Sequence, residues 1–245
     1  MARVRSAGVA LQRMVWHFVS NVRIAAVVDQ KECDFKTACG ILVRIGASLY
    51  LATAWHVFQQ WITWRDEGRE TSILVNDAVL TSPHLVFGSK EREVALIRVG
   101  EDAVGENRRH VYEPGSRWPP RRVTVDDVVI LCGFPGSLRE AGTDGTLLFK
   151  DVSLVKPVTA AYDDYFTLDL RDGTWENLGR MVIDLTTQDL AGVSGAAVFA
   201  FDDLSFPLVG IVAEQPPFAL PVLYVRTLAP LPASIDSYLQ SYAAV

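Results

Sequence analysis

The sequence predicts an all-β protein, built as barrels or a sandwich, and three observations lead there. Short apolar runs rich in β-branched residues recur through most of the 245 residues. Turns bearing Gly or Pro separate these runs, and long amphipathic helical patterns are few. Strands of this length and spacing bury enough surface only by closing on themselves or packing face to face.

In order along the chain, Val22 to Val28 reads as a strand and the polar segment Asp29 to Lys36 as its exit loop. Gly40 to Ile45 and Ser48 to Thr53 read as a hairpin closed by the tight Gly46-Ala47 turn, which delivers the chain to Ala54-Trp55-His56-Val57. A short helical turn is expected across Val57 to Trp64, before the polar Arg65 to Arg69 loop. Further strands are expected at Ser72 to Val75, His84 to Phe87 and Val94 to Val99. Gly105 to Arg122, rich in Arg, Pro and Gly and poor in apolar periodicity, reads as a linker between two β units. The boundary is set so that residues 1–110 form the first unit and 111–245 the second. Val128 to Phe134 then reads as a buried strand ending in a Pro135-Gly136 turn. Strands follow at Leu147 to Leu154, Tyr165 to Leu170, Met181 to Asp184, Ala197 to Phe201, Leu208 to Ala213 and Val222 to Val225. The tail from Leu231 to Tyr242 places Leu231, Ile235, Tyr238, Leu239 and Tyr242 near one helical face.

Composition narrows the function classes. With 49% hydrophobic residues the chain can bury a core, and a net charge of -6 gives no electrostatic reason to expect nucleic acid or an anionic membrane as partner. No apolar run reaches the length of about 18 residues that a membrane span needs. Gln12, Arg13 and His17 interrupt the stretch where a signal peptide would have its apolar core, so a soluble, cytoplasmic protein is expected. The three cysteines, Cys33, Cys39 and Cys132, are odd in number and lack metal-ligand spacing, which points to a reducing setting and to no metal site.

Three blocks carry chemistry. Gly192-Val193-Ser194-Gly195 is a small-residue turn running into the apolar strand Ala196 to Phe199. Such a turn leaves the serine hydroxyl uncovered and lets the amides of Gly192 and Ser194 point into one pocket. Leu51 to Val57 (LATAWHV) presents His56 at the end of a strand, and Glu93 leads the buried strand Val94 to Val99. Each block alone has an ordinary structural reading: a tight turn, one of four histidines, an exposed strand start.

In the order His, acid, Ser, the blocks resemble the chymotrypsin-like (trypsin-like) serine protease superfamily in a bacterial intracellular form. LATAWHV matches that family's T-A-A-H block, EVALIRV its D-[LIV]-A-L block and GVSGAAV its G-D-S-G-G-P block. TACGILV, VVILCGFPG and LVGIV add support, so the likeness runs from about Thr37 to Thr227. The resemblance implies two six-stranded antiparallel β-barrels packed face to face, with a C-terminal helix and an active site in the cleft between them. It assigns Ser194 as nucleophile, His56 as general base then acid, Glu93 as the residue that orients His56, and the amides of Gly192 and Ser194 as the oxyanion hole. The residue types suit those roles, since a serine hydroxyl needs a base in order to attack, and an imidazole titrates in the right range. No cofactor is required.

Three positions depart from the family pattern. Glu93 stands where the family has Asp, so backbone or rotamer must retract a longer side chain. Val193 stands where digestive-type enzymes have the aspartate that pairs with a newly released N-terminus, which implies no activation of that kind. Trp55 and Ala196-Ala197 replace smaller or turn-forming residues, and Trp55 must find a core pocket. Alignment on the Gly-Ile-Val block places Ala213, Glu214 and Gln215 on the edge strand that a peptide substrate pairs with, and Gln188 and Asp189 near the floor of the S1 pocket. Asp189 and Glu214 would suit a basic side chain; the alternative is that both are solvated loop residues.

The expected function is therefore a serine endopeptidase cleaving a protein or peptide substrate through an acyl-enzyme, with a possible regulatory partner protein. The alternatives are a pseudoprotease of the same fold that binds peptides, or a β-barrel binding protein unrelated to proteases.

Overall fold

Runs that read as continuously apolar in sequence are strands with both faces covered. In the computed structural model, which describes residues 15, 17–28, 31–76, 78–80, 82–104, 111–115, 118–136, 140–141, 147–148, 151–171, 176–177, 192–202, 206–214 and 222–228, two large antiparallel sheets dominate. The first contains β1 (Val19–Val28), β2 (Lys31–Ile45), β3 (Ser48–Ala54), β4 (Glu70–Val75), β5 (Ala78–Val79), β6 (His84–Ser89) and β7 (Val94–Val99), in the order β5-β4-β1-β2-β3-β7-β6. β8 (Val111–Tyr112) adds to it, parallel to β2. The second contains β9 (Val128–Gly133), β12 (Val152–Pro157), β13 (Ala160–Ala161), β14 (Tyr165–Asp169), β15 (Glu176–Asn177), β16 (Ala197–Ala200), β17 (Leu208–Glu214) and β18 (Val222–Thr227), in the order β13-β14-β18-β17-β16-β9-β12-β15. A small ladder pairs β10 (Glu140–Ala141) with β11 (Leu147–Leu148). Setting aside the two-residue strands β5, β8, β13 and β15, each sheet has the expected six strands.

Side-chain alternation explains the double burial. In β3, Tyr50 and Ala52 face the second sheet, while Leu49 and Leu51 face a core capped by the helix α1 (Trp55–Asp66). β7 divides likewise, Val94 and Leu96 one way and Ala95, Ile97 and Val99 the other. In the second sheet, Ile130, Cys132, Ala197 and Phe199 meet the first sheet, and Val129, Leu131, Val198 and Ala200 line an inner core with Phe166, Leu168 and Val225. Among the described residues there are thus three cores: one inside each curled sheet and one between them. Phe199, fully buried, anchors the middle core, with its ring centroid 5.5 Å from that of Tyr112. The Tyr112 hydroxyl donates to the Phe206 carbonyl (3.1 Å) and accepts from the Leu208 amide (3.2 Å), which fixes β8, and so the first sheet, to the start of β17.

Several expectations shift in detail. The segment expected to be an exit loop, Asp29 to Lys36, is mostly strand, because β2 begins at Lys31 and pairs with β1 through Val28↔Lys31 and Ala25↔Phe35. Pairing to a neighbour, rather than apolar content, makes this half of β2 extended. The helix runs from Trp55 to Asp66, longer than the Val57–Trp64 turn expected, since Val57, Phe58, Trp61 and Trp64 bury one side of it. The run Leu147 to Leu154 divides into β11 and β12. The first sheet also takes β8 from beyond the boundary set at residue 110. The strand expected at 181–184 and the helix expected at 231–242 lie outside the described residues. No helix among the described residues is long and apolar enough to cross a membrane.

Candidate active site

The β3–β7 ladder aligns Ala54 with Val94, so the residues just beyond, Trp55 and Glu93, face each other where the sheet gives way to α1. The helix has no side-chain cap of its own and no acid in its first turn. Glu93 takes that role from the neighbouring strand. Its carbonyl accepts from the Trp55 amide (3.1 Å), and its Oε2 accepts from the His56 amide (3.3 Å). The same oxygen lies 3.0 Å from His56 Nδ1. A carboxylate here meets the positive end of the helix dipole as well as two N–H donors.

The longer side chain of glutamate is accommodated by the backbone. Glu93 ends the Lys90–Glu93 turn with φ +51°, a left-handed conformation uncommon outside glycine. From that conformation the extra methylene brings the carboxylate to the imidazole. Glu93 is mostly shielded, its side chain 21% exposed, whereas that of His56 is 47% exposed, which leaves the ring accessible on its other side. With Nδ1–H donated to Glu93, Nε2 is left with a lone pair.

The serine loop is shaped by two glycines. Gly192 and Gly195 adopt φ +93° and +85°. A Cβ on Gly195 would lie 2.0 Å from the Cys39 carbonyl oxygen and 2.6 Å from Thr53 Oγ1, so only glycine fits. The loop's bonds all run inward. Gly195 N–H donates to Val212 (2.7 Å), Ala196 N–H to Val193 (2.8 Å), and Val212 N–H to Ala196 (2.9 Å). Among the described residues, neither the Gly192 nor the Ser194 amide enters a backbone hydrogen bond, while the Val193 side chain is 2% exposed in the inner core of the second sheet.

One strand joins the serine loop to the histidine. The Cys39 amide, in β2, donates to the Ser194 carbonyl (2.8 Å), and the Cys39 carbonyl accepts from Thr53 Oγ1 (2.8 Å). Thr53 lies in β3 three residues before His56, opposite Ala95, two residues after Glu93. The structure therefore brings His56 and Glu93 into direct contact and ties Ser194 to the same strand ends through two hydrogen bonds. Cys39 and Cys132 are free thiols. Burial pushes both up to about 12, so each remains protonated through the neutral range.

The residues expected to bind substrate are only partly described. Ala213 is buried at a bulge between Val212 and Glu214 in the β17–β18 ladder. Gln188, Asp189, Gln215 and the side chain of Glu214 lie outside the described residues. Trp55 finds its pocket over Gly88, where a Cβ would sit 2.4 Å from the indole, and its ring centroid is 6.2 Å from that of Phe58. Cys39, Thr53 and Gly88 were not among the candidates. Their signals in the sequence were a cysteine in the TACGILV block, a threonine near the end of an apolar strand and a glycine within a short strand.

No protein-family model and no curated protein sequence matches the chain. Among solved structures, it is similar to the serine endoprotease from Yersinia pestis, with a TM-score of 0.54 and 13% identity over 94% of this chain and 67% of that one. A Mycobacterium tuberculosis protein, solved in an inactive form carrying a serine-to-alanine mutation, aligns over 96% of this chain and 91% of its own at 13% identity and a TM-score of 0.48. The chain has the double-β fold of trypsin-like serine proteases.

Proposed function

We propose that the chain is a serine endopeptidase that cleaves a protein or peptide through an acyl-enzyme. The observation that carries this reading is the 3.0 Å contact between His56 Nδ1 and Glu93, made where the Cys39–Thr53 link also anchors the Ser194 loop. In this mechanism Glu93 holds His56 as the Nδ1–H tautomer and stabilises the imidazolium that forms when Nε2 takes the Ser194 proton. The Ser194 oxygen attacks the scissile carbonyl. The developing oxyanion is met by the amides of Gly192 and Ser194, each contributing about 3 to 4 kcal/mol to the transition state. Imidazolium then protonates the leaving amine, and water activated by the same ring hydrolyses the ester. A substrate backbone would pair along β17 at Ala213 and its neighbours Glu214 and Gln215, with Gln188 and Asp189 near its P1 side chain. The reaction uses no cofactor, suits a reducing cytoplasmic setting, and leaves room for a partner protein that presents the substrate.

The test is exposure of a peptide library of mixed sequence to the purified chain and to Ser194→Ala, with products sequenced by mass spectrometry. Cleavage by the wild type alone is expected. Equal cleavage by Ser194→Ala refutes the nucleophile, and peptide binding without cleavage by either protein establishes the pseudoprotease instead.

A further inference from the structure

On the serine endopeptidase reading, the nucleophile loop has no carboxylate beside the serine to hold it, since Val193 is packed in the core. Both neighbours in the loop that could turn are glycines, and a glycine lets the adjoining peptide rotate at little cost. The plane at greatest risk is Gly192–Val193. If its carbonyl swung outward, an oxygen carrying partial negative charge would enter the space where the oxyanion amides are needed.

A buried thiol meets that carbonyl. Cys39 Sγ donates to the Gly192 carbonyl oxygen at 3.2 Å and accepts from the Phe134 amide at 3.1 Å. The Cys39 backbone meanwhile receives Thr53 Oγ1 and donates to Ser194. Gly133 closes the other side, where a Cβ would be 3.4 Å from Cys39 Sγ, 3.3 Å from Val193 and 3.0 Å from Ala196. One side chain from the first sheet thus bonds to two loops of the second, directly beneath the serine. Because the peptide is planar, fixing the Gly192 oxygen also fixes the Val193 N–H and the direction in which the chain enters Ser194.

We infer that Cys39 is a positioning residue: its S–H bond holds the Gly192 carbonyl inward and keeps the loop in the shape that transition-state stabilisation needs. Its protonated state suits this, because a thiolate would repel the carbonyl. The role is carried by the donor, so serine can substitute for it and alanine cannot.

The experiment uses the full chain in wild-type, Cys39→Ala and Cys39→Ser forms. Crystal structures give the orientation of the Gly192 carbonyl, and p-nitrophenyl acetate hydrolysis gives kcat and KM per site titratable with a fluorophosphonate. In Cys39→Ala the carbonyl is expected to rotate, and kcat per titrated site to fall about 5- to 30-fold with KM nearly unchanged. Cys39→Ser should restore both orientation and kcat. Where Cys39→Ala does not fold, Cys39→Val, which fills the space without a donor, replaces it with the same expectation. An unchanged carbonyl in the donor-free variant overturns the inference, as does an unchanged kcat per titrated site. Should the wild type fail to titrate, the hydrolase reading falls, while the carbonyl orientation in the variants still decides the role of Cys39.

Discussion

Replacing Glu93 by the residue usual in this fold should damage the site rather than improve it. Glu93→Asp shortens the side chain by one C–C bond, about 1.5 Å. From the same backbone, the contact of 3.0 Å to His56 Nδ1 and that of 3.3 Å to the His56 amide both open to about 4 Å or more, beyond hydrogen-bond range. A hydrogen bond to a charged group is worth about 1.5 to 3 kcal/mol, so losing the one that orients the base should slow acylation about 10- to 150-fold. Loss of the cap on α1 should cost a further ~1 kcal/mol of stability, a fall of about 2 to 4 °C in Tm for a chain of this size. The assay is the second-order rate of fluorophosphonate labelling, measured beside a thermal melt. Glu93→Gln keeps the reach but cannot enforce the tautomer, and should fall further, by up to about 10⁴-fold. Labelling by Glu93→Asp at the wild-type rate, with Tm unchanged, would refute the claim that the left-handed backbone at Glu93 is matched to glutamate.

Other substitutions probe the frame. Gly195→Ala forces a Cβ into the Cys39 carbonyl and strains a backbone at φ +85°, so denaturant unfolding should show a loss of about 3 kcal/mol or more. Val193→Asp buries a carboxylate in an apolar core and should cost about 3 to 5 kcal/mol by the same measurement; an undisturbed protein would show that the loop opens readily to water. Asp127 is raised by burial, but hydrogen bonds from Arg121 (2.7 Å) and the Thr124 amide (2.7 Å) outweigh this and hold it below the usual carboxylate range. A carboxylate depressed in the folded state contributes stability above its unfolded pKa of about 3.9 and loses it as pH falls through the folded value. Asp127→Asn should therefore lower Tm at pH 7 and make progressively less difference toward pH 2; a constant difference would show that the carboxylate's charge plays no part.

The barrels were legible because their strands are covered on both sides, so Val129–Cys132 and Val94–Ile97 stand out as continuous apolar runs. The first half of β2 was not, since it is held by pairing with β1 rather than by its own composition. His56 and Glu93 could be placed at strand ends, but each alone has an ordinary reading there, and only the order of the three blocks singles them out. The way glutamate fits could not be read, as it depends on one left-handed φ angle. Cys39 was read only as an odd cysteine, for its contact with Gly192 joins residues far apart in sequence and across two sheets. Trp55 looked like an obstacle to the site, and only the glycine opposite, Gly88, accommodates it.

The most direct measurement is the site of covalent capture. The purified chain is treated with a fluorophosphonate, digested, and mapped by tandem mass spectrometry, beside His56→Ala under the same conditions. The account predicts one phosphonyl group on Ser194 of the wild type and little or none in His56→Ala. Modification at another residue, or at Ser194 with equal speed in His56→Ala, would contradict the proposed Ser194–His56–Glu93 mechanism.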